Sequence, residues 1–191
     1  MNHKGTKTIE TSRLILRKFK ITDAENMYKN WATDPMVTKY VTWDPHKDIS
    51  ETKELLTMWV KESEELDKYK WVIELKETKE VIGGIDLAHV RTKDEIGEIG
   101  YCLSANYWNK GYMSEALLAI MEYLFNECNF YILEAKHIKE NIGSGKVMQK
   151  CHMKYDGRLR ERFYIPEDNA RCDLEVYSLT KDEYNKLTKN N

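Results

Sequence analysis

A change in the spacing of hydrophobic residues near the middle of the chain limits the possible folds most strongly. Residues 95–103 have the composition of a β-strand. In residues 114–128, apolar side chains recur every three or four positions, as in a helix with one buried face. A short loop containing Gly111 joins the two segments. A strand followed so closely by an amphipathic helix predicts a domain of mixed α/β class.

The rest of the chain extends this alternation. Further strands are predicted over 13–19, 69–75, 80–90, 131–139, 153–164 and 173–179, with helices over 24–32, 50–66, 142–151 and 181–191. The charged turn between 75 and 80 predicts an antiparallel hairpin. This order fits neither a regular doubly wound sheet nor a barrel. No linker interrupts the 191 residues, so one domain over 1–191, with a core at about 8–180, is expected.

Charge and cysteine usage argue against several classes of protein. The 30 Lys and Arg residues are balanced by 32 Asp and Glu residues and are interleaved with them, which disfavours a nucleic-acid partner. No apolar run reaches the ~18 residues that a membrane span needs. The four cysteines lie far apart without a Cys-x-x-Cys pair, which predicts neither a metal site nor a redox pair. A reducing cytoplasm is therefore the expected location.

The loop before the central helix has the features of an anion site. Unpaired backbone N–H groups at a helix N-terminus, close to Lys110, suit a phosphate or pyrophosphate group. The alternative is an ordinary loop in which Ser114 caps the helix.

Four motifs in order resemble one known family. The segment Tyr107-Trp-Asn-Lys-Gly-Tyr-Met-Ser-Glu-Ala116 is similar to the acyl-CoA pyrophosphate loop of the GNAT acetyltransferase superfamily. Downstream, Asn141-x-x-Ser144 and Gly157-Arg-Leu-Arg160 resemble its second signature. The opening Thr11-Ser-Arg-Leu-Ile-Leu-Arg17 resembles the branch of ribosomal-protein N-terminal (alanine/serine) acetyltransferases.

The resemblance implies both a fold and an activity. It implies a single α/β domain with a mixed, mostly antiparallel central sheet, helices on both faces, and a splayed strand pair that receives acyl-CoA. The implied activity is direct transfer of an acetyl group from acetyl-CoA to a primary amine, on a protein N-terminus or a small molecule. Neither a metal nor a membrane is implied, and both a monomer and a homodimer stay open.

The resemblance also assigns residues to acetyl-CoA. Backbone groups near the end of the strand would bind the pantetheine arm: Cys102, Leu103 and Ser104. Backbone N–H groups of the loop would bind the pyrophosphate: Asn109, Lys110, Gly111, Tyr112, Met113 and Ser114. Asn141 would hold the pantetheine and Ser144 would protonate the leaving thiolate. Alternatively, Asn141 and Ser144 only cap a short helix.

Several positions depart from the family pattern. Asn109 and His152 stand where glycine is usual, Met113 replaces a small residue, and Met148 replaces a tyrosine that serves as the acid in many relatives. Asn tolerates a left-handed backbone, so the first change is compatible with the loop. The loss of the tyrosine supports an alternative function, a non-catalytic CoA-binding or regulatory module on the same fold.

Residue type indicates candidates for binding and deprotonating the acceptor amine. Glu98, on the strand that leads to the loop, is the candidate general base; the alternative is a strand residue paired across the sheet. Aromatic faces suit cationic amines, so Tyr40, Trp43, Trp31 and Trp71 are candidate acceptor-binding residues. The alternative places them in the core.

Overall fold

An eight-stranded sheet forms the centre of the computed structural model, which describes residues 1–165 and 169–189. Neighbouring strands are antiparallel except for β5 and β6, which are parallel. The order across the sheet is β1-β2-β3-β4-β5-β6-β8-β7. The strands are β1 (Ile9–Glu10), β2 (Leu14–Arg17), β3 (Lys70–Leu75), β4 (Val81–Arg91), β5 (Ile96–Leu103), β6 (Ile132–Ile138), β7 (Lys154–Ile165) and β8 (Ala170–Thr180). The predicted mixed, mostly antiparallel sheet and its β3–β4 hairpin are confirmed.

Helices connect the strands and cover both faces of the sheet. They are α1 (Ala24–Met27), α2 (Pro35–Thr38), α3 (Ile49–Glu62), α4 (Tyr112–Asn126), α5 (Ile142–Lys150) and α6 (Lys181–Lys189). Across the described ranges, none of the helices is long and apolar enough to cross a membrane. The helix predicted over 181–191 is observed as α6, and residues 190 and 191 lie outside the described residues.

Two of the predicted helices differ from those observed. The helix expected over 24–32 begins as α1 and ends in a π-helical turn, Tyr28–Ala32, while Met27 and Trp31 share a buried face as predicted. The helix expected to reach Leu66 ends at Glu62, and Leu66 is 62% exposed. That extension is wrong because the chain turns after α3 and leaves Leu66 outside the apolar face.

The two faces of the sheet bury separate hydrophobic clusters. One cluster packs α4 and α5 against the sheet and includes Ile99 and Leu103 of β5. The other lies beneath α1 and α3, and Cys102 of β5 packs against it. Because side chains alternate along a strand, Glu98 and Cys102 lie on the face opposite α4.

The parallel pair β5 and β6 separates part of the way along. Their paired residues run from Ile96–Ile132 to Ile99–Ala135 and stop there. Beyond this point β5 continues along β4 up to Leu103, and β6 continues along β8. The two strands therefore diverge, as the predicted splayed pair requires.

A left-handed residue ends α5. His152 has a φ of 64° and donates its N–H to the carbonyl of Gln149 at 3.0 Å, while Met153 donates to Met148 at 3.1 Å. These two bonds are those of a Schellman motif, in which glycine is the usual left-handed residue. Histidine therefore occupies a left-handed position at which the family usually has glycine.

We expect His152→Gly to stabilise the protein by about 0.5–1 kcal/mol, since relief of the left-handed penalty exceeds the added chain entropy of glycine. Lys146→Gly is the matched control in the exposed interior of α5, where glycine should cost about 1 kcal/mol. Chemical denaturation of both variants measures the difference. A destabilised His152→Gly protein would show that the turn is not strained.

Candidate active site

The loop between β5 and α4 is shaped by two left-handed residues. Asn109 has a φ of 60° and Gly111 a φ of 80°. Gly111 is the N-cap of α4, so the alternative in which Ser114 caps this helix is wrong. The indole Nε1 of Trp108 donates to the carbonyl of Leu103 at 2.7 Å and ties the loop to the end of β5.

This helix start presents a row of backbone donors. The N–H groups of Gly111, Tyr112, Met113 and Ser114 have no acceptor within the helix, because they occupy its N-cap and first turn. Gly111 has no side chain to cap them. The side chain of Met113 is 5% exposed and packs in the α4 cluster, so it does not crowd the loop.

Arg13 of the N-terminal segment anchors this loop, a role that sequence reasoning missed. Its guanidinium donates to Glu115 at 2.7 Å and to the carbonyl of Lys110 at 3.0 Å. It also stacks 4.2 Å above the ring of Tyr112. A Cβ placed on Gly111 would stand 3.5 Å from Arg13 Nη2, so the loop and the guanidinium touch. The predicted position of Arg13 at the start of a strand gave no indication of this long-range contact.

The carboxylate of Glu115 is held in its charged form. Burial raises the pKa of Glu115, but hydrogen bonds from the Thr11 hydroxyl and from the backbone and side chain of Arg13 outweigh it, so the net pKa is lowered. The Thr11 hydroxyl lies 2.6 Å from Oε1. A fixed charge in the first turn of α4 therefore holds Arg13 against the loop.

Tyr101 spans the gap between the diverging strands. Its hydroxyl lies 2.9 Å from Ser144 Oγ and donates to the Ser144 carbonyl at 3.1 Å. Burial raises the pKa of Tyr101, while the hydrogen bond with Ser144 opposes the rise. Alternation along β5 could have indicated that Tyr101 points toward α5.

Asn141 and Ser144 begin α5 on the far side of the gap. Asn141 is the N-cap, and its Oδ1 accepts from the backbone N–H of Ser144 at 3.2 Å. The capping alternative is therefore observed for Asn141. The Ser144 hydroxyl is directed to Tyr101 and is free of any capping role.

The predicted pantetheine-binding residues lie at the end of β5, past the separation. Cys102 is half-buried, and removal of its thiol from solvent raises its pKa to about 12. Ser104 donates its N–H to the carbonyl of Ile82 at 2.8 Å, so this N–H is already engaged. The Ser104 hydroxyl is buried and has no hydrogen-bond partner within the described structure.

Glu98 lies on the other face of the sheet from α4. It is paired with Lys136 of β6 at 2.7 Å, so the cross-sheet alternative is observed. Its side chain is 21% exposed, which leaves the carboxylate reachable from solvent.

The four aromatic candidates are not brought together. Trp31 is 1% exposed and packs under α1 and α3, and Trp71 is 0% exposed and packs against α4 on the opposite face. The prediction that these two contact an acceptor is wrong, because both are core residues. Tyr40 and Trp43 are half-buried, and Trp43 packs beside His46.

Met148 and the histidines offer no evident acid or base at the gap. Met148 is 1% exposed within the core, so no side chain replaces the family tyrosine from this position. The buried His137 lies against Tyr177, and His46 pairs with Thr52 at 2.7 Å. Within residues 1–165 and 169–189, no three His, Cys, Asp or Glu side chains group as a metal site would.

Comparison with known proteins assigns this fold and loop to a family. The acetyltransferase (GNAT) domain model matches residues 13–154, most of the chain. The chain therefore belongs to the GNAT acetyltransferase family, and the acyltransferase class follows. The recognition made from the sequence motifs is confirmed.

Individual relatives agree with this assignment. The chain is 35% identical over 177 residues to the uncharacterized N-acetyltransferase p20 of Bacillus licheniformis, covering 93% of this chain and 98% of that protein. A GNAT-family acetyltransferase from Bacillus anthracis is 26% identical, with a TM-score of 0.79 and coverage of 93% and 100%. The fold is shared with a ribosomal-protein-S5-alanine acetyltransferase from Vibrio fischeri, at 21% identity, a TM-score of 0.81 and coverage of 93% and 98%.

We expect Arg13→Gln to raise the pKa of Glu115 toward its ordinary value, because the side-chain hydrogen bond and the positive charge of Arg13 are lost. Carbon-13 NMR of the Glu115 carboxyl measures this shift, with Arg162→Gln as the exposed control. In the wild type, the stability linked to Glu115 is present above the unfolded-state pKa and is lost as pH falls through the lowered folded-state pKa. Arg13→Gln should therefore lower the free energy of unfolding by less than about 1 kcal/mol at pH 7. It should also weaken the pH dependence of that free energy in the acid range. An unchanged pKa would refute the anchoring role of Arg13.

Proposed function

We propose that the protein is an acetyl-CoA-dependent N-acetyltransferase that moves an acetyl group directly to the primary amine of a protein N-terminus or a small molecule. One observation carries the proposal. The strand that leaves the β5–β6 pair leads straight into the row of free N–H groups at Gly111–Ser114. A gap for an extended arm is thus joined to a cradle for a pyrophosphate.

The chain offers acetyl-CoA two kinds of contact. The N–H groups of the loop residues 109–114 would take the pyrophosphate oxygens, with Lys110 nearby as a positive charge. Backbone groups of Gly100–Leu103 that face the gap have lost their partner strand and would bind the amide groups of the pantetheine arm. The buried Ser104 hydroxyl, which lacks a partner, is a further group that a bound arm could satisfy.

The reaction requires a proton at the sulfur and the loss of one from the amine. In direct transfer, the amine nitrogen forms a bond to the thioester carbonyl carbon, the carbon–sulfur bond breaks, and the thiolate leaves. The Ser144 hydroxyl, whose Oγ lies 2.9 Å from the Tyr101 hydroxyl, would give its proton to that thiolate and regain one from solvent. Met148 cannot serve in this role, since a thioether carries no exchangeable proton.

Glu98 is the proposed acceptor of the amine proton, through a water molecule. Deprotonating a lysine-type amine of pKa ~10.4 costs roughly 4.6 kcal/mol at pH 7, and an α-amine near 7.8 costs roughly 1 kcal/mol. A base thus matters more for the first class of acceptor. The ion pair with Lys136 holds the Glu98 carboxylate in place.

We expect Gly111→Asp to abolish acetyl-CoA binding, because a carboxylate would face the pyrophosphate and the left-handed backbone disfavours a side chain. Isothermal calorimetry should show micromolar binding in the wild type and a loss of at least about 100-fold in the variant. Asn129→Asp is the control, because it adds a carboxylate at another left-handed position, just beyond the far end of α4. Equal affinity in all three proteins would place the cofactor elsewhere.

We expect Ser144→Ala to lower kcat by about 10²-fold, as for the loss of a general acid, with little change in acetyl-CoA affinity. Tyr101→Phe leaves the serine hydroxyl in place and should have a smaller effect. Thiol release in the presence of a broad amine panel gives the rates. Full activity in Ser144→Ala would show that water protonates the thiolate.

The absence of an acid at Met148 favours one second function, a non-catalytic CoA-binding module. In that case acetyl-CoA would bind in the calorimeter, and no amine of the panel would release thiol. Binding followed by amine-dependent thiol release excludes this alternative.

A further inference from the structure

A groove of about 620 Å³ lies on the face of the sheet opposite α4. Its walls and floor come from strands β4 to β8, with Ile96 and Val176 among its apolar residues. Neither Tyr40 nor Trp43, the aromatic candidates left outside the core, is among its lining residues in the described structure. A volume of this size accommodates a small organic molecule.

Four charged side chains cross the groove in an alternating row. Arg91 Nη2 lies 3.5 Å from Glu134, Glu134 lies 3.9 Å from Lys136 Nζ, and Lys136 Nζ lies 2.7 Å from Glu98. The two positive and two negative charges sum to zero. These four side chains therefore have no net charge together, and the row has a cation at one end and an anion at the other.

The anionic end lies at the point where β5 and β6 separate. Lys136 is the first residue of β6 beyond the last β5–β6 pair, so its partner Glu98 stands beside the apex of the gap. Gly100, the next residue of β5 on this face, has no side chain, and the Asp86 carboxylate of β4 lies over it, with Oδ1 3.0 Å from where a Cβ would stand. Under the proposed function, the acetyl group would reach the groove at this end.

The cationic end lies further from the gap. In the β4–β5 register, His89 is opposite Glu98 and Arg91 is opposite Ile96, so Arg91 is two residues along and one strand across from Glu98. This offset corresponds to a backbone separation on the order of 8 Å. The guanidinium contacts Asp94 at 3.8 Å and Glu134 at 3.5 Å, and both distances are too long for strong hydrogen bonds. Its planar N–H groups can therefore donate to both oxygens of a carboxylate in a bidentate pair.

We infer that the acceptor is a small zwitterion, a free amino acid or short peptide whose carboxylate binds Arg91 while its amine lies beside Glu98. This inference rests on the proposed function and specifies the acceptor class. A polyamine has no carboxylate to pair with Arg91, so it is the poorer match. The ligand carboxylate would also relieve Arg91 of its long, weak contact with Glu134.

The test compares acceptors that differ only in the carboxylate. Thiol release from acetyl-CoA is measured with a panel of amino acids and dipeptides, with the C-terminal amide of each, and with spermidine. For the wild type we expect kcat/KM at least about tenfold higher for the free acids than for their amides. Arg91→Gln should raise KM for the acids about tenfold, with kcat unchanged and the amides unaffected.

Two further variants support the comparison. Arg162→Gln, at an exposed position on β7, should leave both acceptor series unchanged. Arg91→Lys keeps the charge but loses the planar fork, so it should give an intermediate KM for the acids even if Arg91→Gln folds poorly.

The outcomes separate this inference from the proposed function. Equal turnover of acids and amides, a preference for spermidine, or an Arg91→Gln effect shared by both series would overturn the zwitterion inference and leave N-acetyl transfer standing. Failure of every amine to release thiol, with acetyl-CoA bound in the calorimeter, would overturn both.

Discussion

The separation of β5 from β6 is the constraint on which the site depends. Backbone N–H and C=O groups in a sheet need partners, so two strands that part in mid-sheet must be held from outside. Here β4 keeps β5 in place and β8 keeps β6 in place, and the register of each outer pair continues past the break. The hydroxyl pair of Tyr101 and Ser144 closes part of the opening from the α4 side. The loop, α5 and the groove all lie around this one interruption.

The interruption also divides the chemistry between the two faces of the sheet. On one face, residues near α4 and α5 supply uncharged donors: backbone N–H groups, the Ser144 hydroxyl and the Tyr101 phenol. On the other face, the groove carries the charged pair of Glu98 and Lys136. Period-two alternation along β5 is sufficient to produce this division, since Tyr101 and Glu98 are an odd number of residues apart.

Much of this arrangement could be predicted from the sequence, because it depends on local patterns. Hydrophobic periodicity located α4 and strands β2 to β8 to within a few residues, and the motif at 107–116 located the loop. The two-residue strand β1 was not predicted. The starting residue of α4 was missed because Gly111 caps it through a left-handed backbone and not through a side chain. Trp31 and Trp71 were misassigned because an aromatic side chain suits a core and a pocket equally, and only packing decides between them. Arg13 and Arg91 were missed because their partners are distant in sequence or depend on strand register.

The contacts of Arg13 affect the stage of folding at which the loop between β5 and α4 reaches its final geometry. Arg13 is separated by 102 residues from Glu115 and by 97 from Lys110, so its hydrogen bonds close very long chain loops. Closing such loops costs chain entropy before the contacts return any stabilisation, which makes them slow to form. The helix start can fold early from local interactions, but its anchored form requires the N-terminal strand to dock. A chain emerging from the ribosome would thus hold Arg13 unpaired until the central helix has been made, and the loop would acquire its final geometry late in folding.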